Sequence, residues 1–90
     1  MSSAVSYGSL KAAVLSVASN LTQTQGPLQQ GLKGVEDQIA ALQAIADGTS
    51  NAAVQEAIAM LLRAKESIEQ AIWMVGAAQS SAEGAAAELS

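Results

Sequence analysis

From Val54 to Leu89 the chain repeats steps of four and three residues without a slip. The positions are Val54, Ile58, Leu61, Lys65, Ile68, Ile72, Val75, Gln79, Ala82, Ala86 and Leu89. Nine of these eleven are apolar. A seven-residue repeat sustained this far is the signature of coiled-coil-like packing, in which the seam stays turned toward a partner helix. At ~1.5 Å per residue a helix over 50–88 is roughly 57 Å long, and it cannot bury that stripe by itself. The chain must therefore supply opposing helices or recruit them.

Two earlier segments show helical spacing as well. Tyr7, Leu10, Val14, Val17 and Leu21 step 3-4-3-4, and Leu28, Leu32, Val35, Ile39, Leu42 and Ala46 step 4-3-4-3-4. No stretch shows the alternation of a strand. Gly26-Pro27 separates these segments, with Pro27 suited to a first helical position. Asp47-Gly48-Thr49-Ser50-Asn51 separates the second from the third: Gly48 can end a helix in a left-handed conformation, and Thr49, Ser50 or Asn51 can cap the next. The spacing predicts helices over 3–23, 27–47 and 50–88 within one helical domain, 1–90. If the chain reverses at Gly26-Pro27 the fold is a three-helix bundle with a long C-terminal helix; if it only kinks there, the fold is an antiparallel helical hairpin. Both are all-α, and both leave apolar surface for a second chain.

The apolar half of the composition is unusual. Twenty of its forty-five residues are Ala, with one Trp, one Tyr and no Phe. Each buried Ala contributes little beside the ~1.5–3 kcal/mol of a buried Leu or Ile, so a core of this kind gains from a partner. Four basic residues (Lys11, Lys33, Arg63, Lys65) and a net charge of −4 argue against nucleic acid and against anionic membrane surfaces. No run approaches the ~20 apolar residues of a membrane span, and Met1–Tyr7 carries no charged region of a secretory signal. The expectation is a cytoplasmic protein, with export open only by a route that does not read a cleavable signal peptide.

Chemistry is poorly served. Without His or Cys there are no disulfides, imidazole bases, thiol nucleophiles or Cys/His zinc sites. Glu66 and Glu69 share a helical face, but the dinuclear carboxylate pattern of bundles needs a Glu-x-x-His motif. Glu69 also follows Lys65 by four residues, a spacing suited to an ordinary ion pair. Asp47-Gly48-Thr49-Ser50 lacks the further carboxylates of a calcium loop. Gly31-Leu32-Lys33-Gly34 lacks the ending of a phosphate cradle, and its glycines read better as permitting a close helix–helix approach. The expectation is a protein that is not an enzyme and has no cofactor or metal.

Interaction is what remains. The third stripe offers Ile58, Leu61, Lys65, Ile68, Ile72 and Val75 as interface candidates, with Leu62 and Trp73 on its shoulders. Trp is enriched at binding hot spots, and Met60 and Met74 would widen such a surface adaptably. Lys65 and Gln79 are the polar members of the stripe. Lys65 either fixes register or oligomeric state, or lays its stem along the seam and leaves its ammonium in water.

In length, acidity, Ala/Gln/Ser-rich composition, lack of Cys and paired heptads, residues 5–89 resemble small helical-hairpin proteins of actinobacterial type VII secretion. These form the early-secretory-antigen family, with its Trp-x-Gly turn. Here the interhelical turn reads Asp47-Gly48-Thr49. The Trp stands in Trp73-Met74-Val75-Gly76, one residue wider than that motif, and Gly84-Ala85-Ala86-Ala87-Glu88 is a degenerate counterpart of the family's C-terminal Tyr-x-x-x-Asp/Glu signal. The resemblance implies a hairpin that dimerises with itself or a helical paralogue and works by binding. A structural subunit of a larger assembly, such as a shell or phage-like particle, is the alternative. A carrier of an apolar ligand is disfavoured, because Ala-rich seams pack closely.

Overall fold

The computed structural model describes residues 6–89 and holds two α-helices packed as a hairpin, α1 (Tyr7–Ala46) and α2 (Ala52–Glu88). The first two expected segments are one helix of 40 residues, with Pro27 inside it; residues 3–5 of the first lie outside the described residues. Pro27 removes one backbone donor and crowds the carbonyl four residues back. A proline also clashes with the Cβ of the residue before it, and Gly26 has none. In the preceding turns the hydroxyls of Thr22 and Thr24 donate to the carbonyls of Ala18 (3.1 Å) and Asn20 (2.9 Å), keeping their polar groups satisfied on the helix itself.

The larger reason for continuity is the seam. Lys11, Val14, Ala18, Leu21, Gln25, Leu28, Leu32, Val35, Ile39, Leu42 and Ala46 alternate steps of three and four, and each is buried or half-buried. Gln25 joins the two expected stripes in a single register. The expected first stripe runs through Leu10 and Val17, which are 39% and 52% exposed. Its actual members at those levels are Lys11 and Ala18, one residue further on. Small and amphipathic side chains hold the seam there, where spacing alone pointed to the larger ones.

The ends are closed locally. Ser6 Oγ accepts from the Ser9 backbone N–H at 3.1 Å, capping α1. At its other end Gly48 N–H donates to Ile45 O and Thr49 N–H to Ala46 O, so the helix tightens into i→i+3 bonds. Gly48 does not take the left-handed conformation expected of it, since no described glycine has positive φ. Asn51 is the cap of α2: its Oδ1 accepts from Ala53 N–H at 2.8 Å, while its own N–H donates to Thr49 Oγ1 at 3.1 Å.

The chain forms two compact units. The turn unit is Pro27–Ile72; the terminal unit comprises the residues up to Gly26 together with those from Trp73 onward. Each has one contact that fixes its register. In the turn unit Lys65 Nζ lies 3.3 Å from Glu36 Oε2. In the terminal unit Gln25 Nε2 lies 3.5 Å from where a Cβ on Gly76 would sit. The two residue numbers total 101 in both cases. The seam positions, one residue from these contacts, therefore pair at a total of 100, and Ala46, Leu42, Ile39, Val35, Leu32 and Leu28 stand level with Val54, Ile58, Leu61, Lys65, Ile68 and Ile72. In the terminal unit Gln25, Leu21, Ala18, Val14 and Lys11 stand level with Val75, Gln79, Ala82, Ala86 and Leu89.

Burial is thin throughout. Among the described residues only Ala18, Ile39, Ile58 and Ala86 are buried, and no large side chain is fully so. The chain exposes 6060 Å².

Candidate interaction surface

Among the described residues there is no cavity and no group of three or more metal-ligating side chains. No described helix is long and apolar enough to cross a membrane. Glu66 and Glu69 are exposed. What the described residues offer for function is the surfaces of the two helices.

The eight interface candidates divide by position. Ile58 is buried, and Leu61, Lys65, Ile68, Ile72 and Val75 are half-buried on the stripe of α2 that packs in the hairpin. Leu62 and Trp73 are exposed, Trp73 at 74%. Lys65 runs its stem along the seam and turns its ammonium to Glu36 across the hairpin, with side chains 34% and 46% exposed, instead of to Glu69 on its own helix. Partial exposure limits such a pair to ~0–1 kcal/mol, but it draws the two helices into one register. Lys33 pairs along its helix with Asp37 at 3.3 Å, and Gln79 Nε2 donates to Glu83 Oε1 at 3.0 Å.

The flanks of the seam differ. With Val35, Leu42, Leu61 and Ile68 at heptad position d, and Leu32, Ile39, Ile58 and Ile72 at a, position e follows d and position g precedes a. In an antiparallel pair the e positions lie along one flank and the g positions along the other. In the turn unit the e flank carries Glu36 and Glu69, with Lys33 and Glu66 beside them at b. The g flank carries Gly31, Gln38 and Ile45 from α1 and Ala57, Ala64 and Ala71 from α2. Gly34 and Met60 adjoin it at c. Nine of the chain's twelve charged residues belong to the turn unit, and none occupies a g or c position. Ile45 and Met60 on this flank are 56% and 61% exposed.

Gly31 and Gly34 sharpen the asymmetry. Both are exposed, and a Cβ added to either meets nothing within 4 Å. The close approach expected of them is not made inside the hairpin. A glycine in a helix interior costs ~0.8–1.0 kcal/mol relative to Ala, so the hairpin carries two such costs without an internal contact to offset them. The close approach inside the chain is at Gly76, where Gln25 lies against the α2 backbone. Sequence spacing held the clue: Gln25 stands seven residues from both Ala18 and Leu32, at a seam position.

The terminal unit presents a different surface. Its only charged residues are Lys11, Glu83 and Glu88, and Tyr7, Leu10, Leu15, Val17, Trp73 and Met74 are exposed on it.

Comparison with known protein families, curated proteins and solved structures finds no match.

Proposed function

We propose that this chain is a non-enzymatic protein–protein interaction module that works by packing its helices against those of another chain. The observation that carries this reading is the burial deficit. Among the described residues only four are buried and no large side chain is fully so, which leaves apolar surface that association would remove from water. The stripe on α2 that sequence offered as an interface packs within the hairpin. The surface available to a partner is therefore drawn from the flanks and from the exposed side chains, Leu62 and Trp73 among them. The resemblance to type VII secretion hairpins in length, composition and paired heptads supports the same mode of work, with the chain itself or a helical paralogue as partner.

The test is mass by light scattering over a dilution series, alone and after pull-down from the native host. A concentration-dependent oligomer or a co-purifying helical protein supports the reading; a monomer at every concentration with nothing co-purifying overturns it. The two units present unlike surfaces, one with an uncharged, glycine-bearing flank, the other displaying Trp73 and Met74. Two unlike contacts suit the second reading, a subunit of a larger assembly, because heterologous contacts propagate. Ordered polymers by electron microscopy would favour it.

A further inference from the structure

We infer that Asp47 is a site of spontaneous covalent modification, where the side chain closes on the backbone nitrogen of Gly48 to a succinimide that water opens to isoaspartate. The turn between the helices carries this chemistry whatever the flanks bind.

The reaction needs water and nothing else. The Gly48 nitrogen attacks Cγ of the protonated Asp47 side chain, and the new N–Cγ bond closes a five-membered ring. The amide proton leaves with the carboxyl hydroxyl as water. Water then adds to either imide carbonyl. Breaking the N–Cγ bond returns aspartate; breaking the bond from nitrogen to the main-chain carbonyl carbon gives isoaspartate, whose backbone runs through Cβ. No atom changes oxidation state overall, and one water is lost and regained.

Three conditions favour ring closure, and Asp47 meets them together. Gly48 has no Cβ to obstruct the approach of its nitrogen. No described residue pairs with the Asp47 carboxylate. Both residues lie exposed in the turn after α1, where the Gly48 N–H is held by one bond, 3.0 Å to Ile45 O. An exposed bond of this kind contributes little net free energy, so the turn opens locally at small cost.

The other candidates each fail a condition. Asp37 lies inside α1 with Gln38 after it, and its carboxylate is 3.3 Å from Lys33 Nζ. Asn20 is also inside α1, followed by Leu21. Asn51 shares the turn, but its Oδ1 accepts from Ala53 N–H at 2.8 Å and the next residue is Ala52. Asparagine closes this ring faster than aspartate in equal surroundings, so it is the fold and the glycine that single out Asp47. The product places an extra methylene in the main chain where Gly48 N–H donates to Ile45 O and Thr49 N–H to Ala46 O, and these closing bonds lose their spacing.

The test is to hold the folded chain in neutral buffer at about 37 °C for several weeks and map its peptides by mass spectrometry, with fragmentation that separates aspartate from isoaspartate. Isoaspartate should accumulate at Asp47, with a minor species one water lighter, before any change at Asp37, Asn20 or Asn51. Gly48→Ala should slow its formation about fivefold or more, because the added methyl hinders the attacking nitrogen. That variant fits the fold: the new Cβ would meet Ile45 O at 3.7 Å, an ordinary contact, and the backbone there has no positive φ. Asp47→Glu keeps the charge and should abolish the product, since its ring would need a sixth atom. Modification appearing first at Asn51, Asn20 or Asp37 overturns the inference, as does a Gly48→Ala chain that converts as fast as the parent. So does an Asp47 that stays intact in the folded chain, whether or not it converts in the same chain unfolded in guanidinium.

Discussion

The turn unit and the terminal unit are built on the same heptad register and fill it differently. Between Leu28 and Ile72 almost every level pairs two branched aliphatic side chains, Leu42 with Ile58, Ile39 with Leu61, Leu32 with Ile68; Lys65 is the polar exception and finds Glu36. In the terminal unit every level has a small or polar member: Gln25, Gln79, the Ala18–Ala82 pair, Ala86 and Lys11. The outer surfaces run the opposite way. The well-filled unit holds nine of the twelve charges, whereas the sparsely filled one has three and exposes Tyr7, Trp73 and Met74. Register alone suffices to make a hairpin; the volume packed into it decides how firmly each stretch is held.

The strongest way to break this comparison is to make one deletion in each unit. Ile39→Ala removes a buried side chain opposite Leu61, and by the usual range for Ile→Ala it should cost ~2–4 kcal/mol in denaturant unfolding. Leu21→Ala removes a half-buried side chain opposite Gln79 and should cost roughly half as much, since less area is lost and water can fill the gap. Equal costs would mean that the terminal seam is as tightly packed as the turn seam. Native-state hydrogen exchange reads the same contrast without mutation. Amides of 14–24 and 75–86 should exchange through openings of lower free energy than those of 32–42 and 57–70; uniform protection would show that the hairpin opens as one body.

Much of this was legible beforehand, and the exceptions have physical reasons. The stripe from Val54 to Leu89 is strict enough to be read directly, and it ends one helix in the hairpin. A first stripe through large side chains leaves hairpin and bundle both open at Gly26-Pro27. Leu10 and Val17 draw the eye by size, yet the continuous register passes through Lys11, Ala18 and Gln25, residues that a hydrophobicity pattern undervalues. Once Gln25 is admitted, the heptad crosses Pro27 unbroken. Of the interface candidates, the apolar seam residues were recognisable as packing residues, but periodicity alone cannot say whether the opposing helix lies in the same chain. The uncharged flank is invisible to a hydrophobicity pattern, because it is defined by the absence of charge on Gly31, Gly34, Gln38 and Ala64, not by apolar bulk.

Filling a terminal layer should narrow the difference in stability between the two units. Gln79 sits half-buried opposite Leu21, and its amide donates to Glu83 on the surface. Gln79→Leu replaces it with a side chain that buries apolar area and gives up one exposed hydrogen bond of small net value, so stability should rise by ~1 kcal/mol. The gain should appear in the exchange of terminal-unit amides first. A loss of stability would show that the Gln79 amide matters more to that layer than its volume.

The smallest effect is expected at the one polar layer of the turn unit. Lys65→Leu removes a partly exposed pair worth ~0–1 kcal/mol and adds apolar contact opposite Val35, so stability should rise by a few tenths of a kcal/mol up to ~1 kcal/mol. Salt should then change the stability of the variant less than that of the parent, because the screened attraction to Glu36 is gone. Light scattering is the sharper reading. The Lys65–Glu36 pair joins the two helices of one chain, so its loss should leave the mass in solution unchanged. A shift in mass would mean instead that the polar seam position specifies how many chains associate. The seam, and not the uncharged flank, would then be the surface that governs assembly.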